Sequence, residues 1–101
     1  MKNMNDMLRQ ASIMQNKLAK LQEEMEEQIV ESSAGGGMVK VSMNGKQELK
    51  SITIDPQVAG DVEMLQDLII SAVNEAGRIA KANMNRELGK LSGGIHLPGL
   101  F

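Results

Sequence analysis

The stretch Ser32-Ser33-Ala34-Gly35-Gly36-Gly37-Met38-Val39-Lys40-Val41-Ser42-Met43-Asn44-Gly45 decides the fold. Ala34 to Gly37 supplies the backbone freedom needed to reverse the chain. From Met38 to Met43 the residues alternate, placing Val39, Val41 and Met43 on one face and Lys40 and Ser42 on the other, the period of a half-buried strand. Asn44-Gly45 then reads as a hairpin signal, because both residues tolerate positive φ. A strand bracketed by two reversals has an antiparallel neighbour on each side. Those neighbours are Ile29 to Ser33, short and partly β-branched, and Glu48 to Ile54, with Lys50 exposed and Ile52 and Ile54 facing the core. Asp55-Pro56 ends the third strand as a cap with Pro at a first helical position, a single turn before Gly60.

Outward from this sheet the period changes to that of helices. Met4, Met7, Ala11, Met14, Leu18, Leu21 and Met25 recur at alternating spacings of three and four, an apolar seam that predicts a helix over about residues 4 to 28. On the other side, Asp61 reads as an N-cap. Val62, Leu65, Ile69, Ala72, Ala76 and Ile79 keep a comparable seam, widened by Leu68, Val73 and Ala80, and the small residues allow close approach. This second helix is expected over about residues 61 to 88. Residues 89 to 101, rich in Gly and Pro after Ser92, are expected to form a flexible tail with apolar anchors. The whole is one α+β domain: a first segment over 1–28, an antiparallel sheet over 29–55, a long helix over 61–88 and a tail over 89–101.

At 101 residues the chain buries only about 60 to 65% of its unfolded surface, which favours a homodimer that completes the core and covers the sheet edges. The core draws on aliphatic side chains and nine Met, with Phe101 the only aromatic residue. No Cys is present, which excludes a disulfide framework and thiolate chemistry. The polar, amphipathic N-terminal stretch and the lack of any membrane-length apolar run point to the cytoplasm, with no membrane partner.

The formal net charge of −2 is not that of a strongly basic nucleic-acid binder, so the distribution of charge has to decide. At about 100° per residue, Lys2, Arg9 and Lys20 project within about 20° of one another, and Lys17 lies about 60° away, nearly opposite the seam. The same helix ends in Glu23, Glu24, Glu26 and Glu27, the wrong polarity for a helix macrodipole. The second helix begins with Asp61, Glu63, Asp67 and Glu75 and ends with Arg78, Lys81, Arg86 and Lys90 against Glu87. Both helices thus join the sheet through their acidic ends and carry their cations away from it. A helix of about 25 residues spans roughly 37 Å, long enough to project as an arm. The plain alternative is a solvated face laced with i,i+4 pairs.

Taken together, Met7-Leu8-Arg9-Gln10-Ala11, Met14-Gln15, the run Val30 to Val41 through Ser-Ala-Gly-Gly-Gly, Met43-Asn44-Gly45, Ile52-Thr53-Ile54-Asp55-Pro56, Glu63 to Ile69 and the tail Gly94-Ile95-His96-Leu97-Pro98-Gly99 resemble the YbaB/EbfC family over nearly the whole chain, in order. The resemblance implies a tweezers-like homodimer with the sheets at its centre and projecting helical arms that engage DNA with little sequence preference in a nucleoid setting. Carried over to this chain, the arm positions that fit as DNA-binding residues are Arg9, Lys17, Lys20, Arg78, Lys81, Arg86 and Lys90.

No enzyme reading finds residues to support it. A strand follows the glycine run, whereas a phosphate-binding P-loop opens a helix with Gly-Lys-Ser/Thr. The Met spacing is that of helix packing rather than a soft-metal site. His96 has no motif partner, and Ser32, Ser33 and Ser42 have no relay. No cofactor, metal or small-molecule substrate is therefore expected. Without stacking aromatics, duplex DNA is a better partner than a single strand. The expected function is nucleoid-associated binding of double-stranded DNA through its phosphates, influencing nucleoid organisation or gene expression. The competing reading is a helical interaction module whose basic faces dock an acidic protein.

Overall fold

The structure, a computed structural model, describes residues 3–91. The element order is α1 (Met4–Glu27), β1 (Ile29–Ala34), β2 (Val39–Asn44), β3 (Leu49–Ile54) and α2 (Val62–Leu91). The strands form one antiparallel sheet in the order β1-β2-β3. The molecule is elongated, 68 × 23 × 16 Å, because α2 continues past the sheet and α1 runs back beside it.

Register explains where the core lies. Val30 pairs with Met43, Ala34 with Val39, Val41 with Ile52, and Val39 with Ile54, so these side chains share one sheet face. α2 lies across β1 and β2 on that face and presents Ala72, Ala76 and Ala80, all fully buried against Val30, Val39, Val41 and Met43. Alanines four apart form a flat stripe, which lets the helix sit close to the sheet. Ile52 and Ile54 do lie on the core side as expected, but α2 packs mainly over β1 and β2. They remain 40% and 37% exposed. The opposite sheet face is polar, with Ser42 and Ser51 hydroxyls hydrogen-bonded across β2 and β3.

The first reversal places Gly35, Gly36 and Gly37 at φ of 63°, 66° and 95°, as the glycine run predicts. The second differs from the Asn-Gly expectation. Gln47, not Asn44 or Gly45, takes positive φ, at 65°. The Gln47 N–H donates to the Asn44 carbonyl and the Asn44 N–H to that of Glu48. This is a three-residue loop, a type I turn followed by a left-handed residue. Asn44, 1% exposed, holds it: Oδ1 accepts from the Lys46 and Glu48 N–H groups, and Nδ2 donates to the Glu48 carboxylate. That bond keeps the Glu48 carboxyl below its ordinary pKa.

Gly45 is required for a different reason. Its N–H donates to the Met25 carbonyl at 2.8 Å, and a Cβ there would lie 2.8 Å from that same oxygen. The end of α1 is thus seated on the hairpin tip by a contact no larger residue permits. Gly45→Ala is expected to cost about 1–3 kcal/mol by overpacking, read as a lower urea midpoint at unchanged slope; an unaltered midpoint would mean that the tip is not pressed against α1.

The helices match their seams with corrections at the ends. Asn3 caps α1 through Oδ1 to the Asp6 N–H at 2.9 Å. Only Leu21 and Met25 of the α1 seam are buried, and Met4 and Met7 are 69% and 59% exposed. The reason is length: 24 residues span about 36 Å, and only the last turns meet the sheet and α2. Asp61 caps α2, with Oδ1 accepting from Met64 N–H at 3.1 Å. Before it, residues 56–60 form turns rather than a helical turn, Asp55 accepting from the Gln57 and Val58 N–H groups. α2 continues to Leu91 rather than 88, with Lys90 in its last turn, the favourable sign for the helix dipole. The tail expected over 89–101 is helix at 89–91; the rest of it, like Lys2 and His96, lies outside the described residues.

Candidate nucleic-acid interface

α1 and α2 lie antiparallel where they meet. Lys17, Lys20, Leu21 and Glu24 of α1 face Glu87, Lys90 and Leu91 of α2 across a groove of about 320 Å³. Nearer the sheet, Gln22 faces Lys81, Met84 and Asn85 across a second groove of about 340 Å³, closed at one end by Gly45, Lys46 and Gln47 of the hairpin. The stretch Met4 to Asn16 extends beyond the pairing with Leu91 and carries Arg9.

The seven cations expected on the arms therefore fall into two sets. Lys17, Lys20 and Lys90 come together in the first groove. Arg9 lies about 80° from Lys17 and about 20° from Lys20 around α1, and Arg86 about 40° from Lys90 around α2, which puts both toward the same side. Lys81 lines the second groove, and Arg78, three residues earlier, lies about 60° from it around the helix. Gln22 is about 160° around α1 from both Lys20 and Glu24, so the two grooves open on opposite sides of the helix pair.

Three of the seven cations are held by a carboxylate three residues earlier. Arg9 meets Asp6 at 3.1 Å, Arg78 meets Glu75 at 2.6 Å and Lys90 meets Glu87 at 3.2 Å. The Arg78 pair is bidentate, its second bond running from Nε to Oε2 at 3.1 Å, and it holds the Glu75 carboxyl below its ordinary pKa. Arg86 donates to Asn83 Oδ1 at 3.0 Å. Among the described residues, Lys17, Lys20 and Lys81 form no ion pair. All these pairs are solvent-exposed and screened by salt, so a phosphate can displace the carboxylate.

One cation was missed in the sequence: Lys46, whose ammonium meets Glu26 at 2.9 Å. The hydrogen bond it donates to the Glu26 carboxylate raises its pKa above the ordinary lysine value. A loop residue has no periodicity to reveal its side, and the only available signal was its place directly after Asn44-Gly45.

Among the described residues, no helix is long and apolar enough to cross a membrane, and no cluster of acidic or imidazole side chains could hold a metal ion. What the geometry offers is cationic grooves along a helical arm, suited to an extended polyanion.

Comparison with known proteins agrees with that chemistry. The chain is 52% identical over 101 residues to a nucleoid-associated protein of Alkaliphilus metalliredigens (strain QYMF), covering 98% of this chain and 89% of the relative. It is 54% identical over 101 residues to a nucleoid-associated protein of Moorella thermoacetica (strain ATCC 39073 / JCM 9320), covering 98% and 97%. The crystal structure of uncharacterized protein HP0035 from Helicobacter pylori superposes with a TM-score of 0.87 at 27% identity, over 91% of this chain and 99% of that one. The model of the YbaB/EbfC DNA-binding family matches residues 1–95. By sequence across nearly its whole length, and by fold, the chain belongs to the YbaB/EbfC DNA-binding family.

Proposed function

We propose that this protein is a nucleoid-associated homodimer that binds double-stranded DNA by its phosphates with little sequence preference, and thereby influences nucleoid organisation or gene expression. The observation that carries this is the first groove: Lys17 and Lys20, bound to no carboxylate, gathered with Lys90 from the other helix on the distal part of the arm. Arg9 and Arg86 extend the same side. Lysine ammonium groups are point charges that neutralise phosphates without reading base edges. The absence of any aromatic residue before Phe101 removes the stacking platform that a single-strand binder needs.

Glu24 and Glu87 line the same groove and oppose the cations, so affinity is modest. Purified protein titrated with two unrelated duplexes of equal length is expected to bind both within a few-fold of each other. The logarithm of affinity should fall linearly with that of salt concentration. Strong preference for one sequence, or affinity indifferent to salt, would reject phosphate-directed binding.

The homodimer reading rests on β3. It is an edge strand whose core-side residues Ile52 and Ile54 continue the buried face but are not covered by α2. A second copy packed there would bury that strip and protect the edge. The double variant Ile52→Asp, Ile54→Asp is expected to halve the mass measured by light scattering while retaining helical circular dichroism. A dimer of unchanged mass would place the interface elsewhere.

A further inference from the structure

The second groove is not accounted for by an arm that simply lies against one duplex, because it opens on the side of the helix pair opposite Lys17, Lys20 and Lys90. Its lining carries two cations, Lys46 and Lys81, and no carboxylate. The first groove, by contrast, sets three lysines against two glutamates. With Glu26 counted against Lys46, each groove keeps a net positive charge of its own, although the chain as a whole is acidic. Gln22 and Asn85 add side-chain amides that can donate to an anion, while Gln47 is fixed by its bond to the Gly77 carbonyl at 3.1 Å. Glu26 is the acid that meets Lys46, through an exposed pair that a phosphate can displace.

The floor of this groove is rigid. Asn44 fixes the hairpin by three hydrogen bonds, and the tip is seated on α1 through the Gly45 N–H and the Met25 carbonyl. Lys46 is thus presented from a braced turn and Lys81 from a helix packed on the sheet. We propose that this groove is a second seat for the phosphate backbone of double-stranded DNA, so that one protomer can hold duplex segments on two opposite sides. The inference rests on the DNA-binding reading above. Its consequence is a joining of separate segments that does not depend on the two protomers' distal arms.

The test uses the full chain and a duplex of about 12 base pairs, roughly 41 Å long. Duplexes bound per protomer are counted at saturation for the wild type and for the double variant Lys46→Gln, Lys81→Gln. Capture of a labelled long duplex on an immobilised one is measured alongside, and circular dichroism confirms the fold. The double variant is expected to bind fewer duplexes per protomer and to lose at least tenfold in capture, while the duplex bound at the first groove is retained. Lys46→Arg, Lys81→Arg should restore both. Equal stoichiometry and capture in wild type and double variant overturn the second seat. So does loss of all binding in the folded double variant, which would make the two grooves parts of one site. No binding by the wild type at low salt is the separate result that defeats the DNA reading itself.

Discussion

With Lys17, Lys20 and Lys90 all changed to Gln, the protein is expected to bind duplex DNA about 500-fold more weakly at about 0.1 M monovalent salt. The figure follows from counterion release. Each phosphate neutralised contributes a factor that varies as salt concentration to the power of about −0.9, so three contacts contribute about 2.7 to the slope and about 10^2.7 to affinity at 0.1 M. These residues suit that role because the structure places them in one groove, from two different helices, with only Lys90 held by a carboxylate. The same arithmetic requires the two binding curves to converge near 1 M salt. A variant that is weakened equally at every salt concentration has lost its fold or its shape rather than its phosphate contacts. A slope unchanged from wild type would remove these lysines from the interface. Glu24→Gln with Glu87→Gln should act in the opposite direction, since those carboxylates line the same groove.

The sheet and both helices were legible because each writes its period directly into the chain. Val39, Val41 and Met43 alternate, and Met4 to Met25 recur at three and four, whatever surrounds them. The Asn44 turn was found in the right place for an incomplete reason. Asn-Gly matches a two-residue loop with positive φ at both positions, whereas in the folded chain Asn44 acts through its side chain, Gly45 through its missing Cβ and Gln47 through its backbone. Local propensity cannot foresee that the end of α1 will press on the tip.

The site was legible as a charge pattern but not as a surface. A helical wheel orders residues around one axis. It does not say which side of α1 will meet α2, so seven cations read as one set divide between opposite sides. Exposure of Ile52 and Ile54 has the same origin: alternation assigns them to the correct sheet face, but the path of α2 over β1 and β2 decides what is covered. That path is set by the alanine stripe.

Ala76→Leu should accordingly damage the core severely, lowering stability by about 3 kcal/mol or more. Ala72, Ala76 and Ala80 are all 0% exposed and stand between α2 and the valines of β1 and β2. Val39 is likewise 0% exposed, and Val30, Val41 and Met43 are 5%, 3% and 4% exposed, so no void on the sheet side can take up three added carbons. Either the leucine adopts a strained rotamer or the helix moves outward. Outward movement would loosen the neighbouring alanine contacts and the bond from Gln47 to the Gly77 carbonyl at 3.1 Å. A domain of this size has about 5–15 kcal/mol in total, and each kcal/mol shifts its midpoint by about 4–8 °C, so a fall of about 12 °C or more is expected. The scans must be run at one protein concentration, because the proposed dimer would make the midpoint concentration-dependent. Ile70→Ala, on the 58% exposed face of the same helix, supplies the contrast. Surface substitutions usually stay within about 0.5 kcal/mol, unless that face packs against a second copy. If Ala76→Leu unfolded at the wild-type temperature, the close seating of α2 on the sheet would be wrong. The alanine stripe would then no longer explain why the third strand is left uncovered.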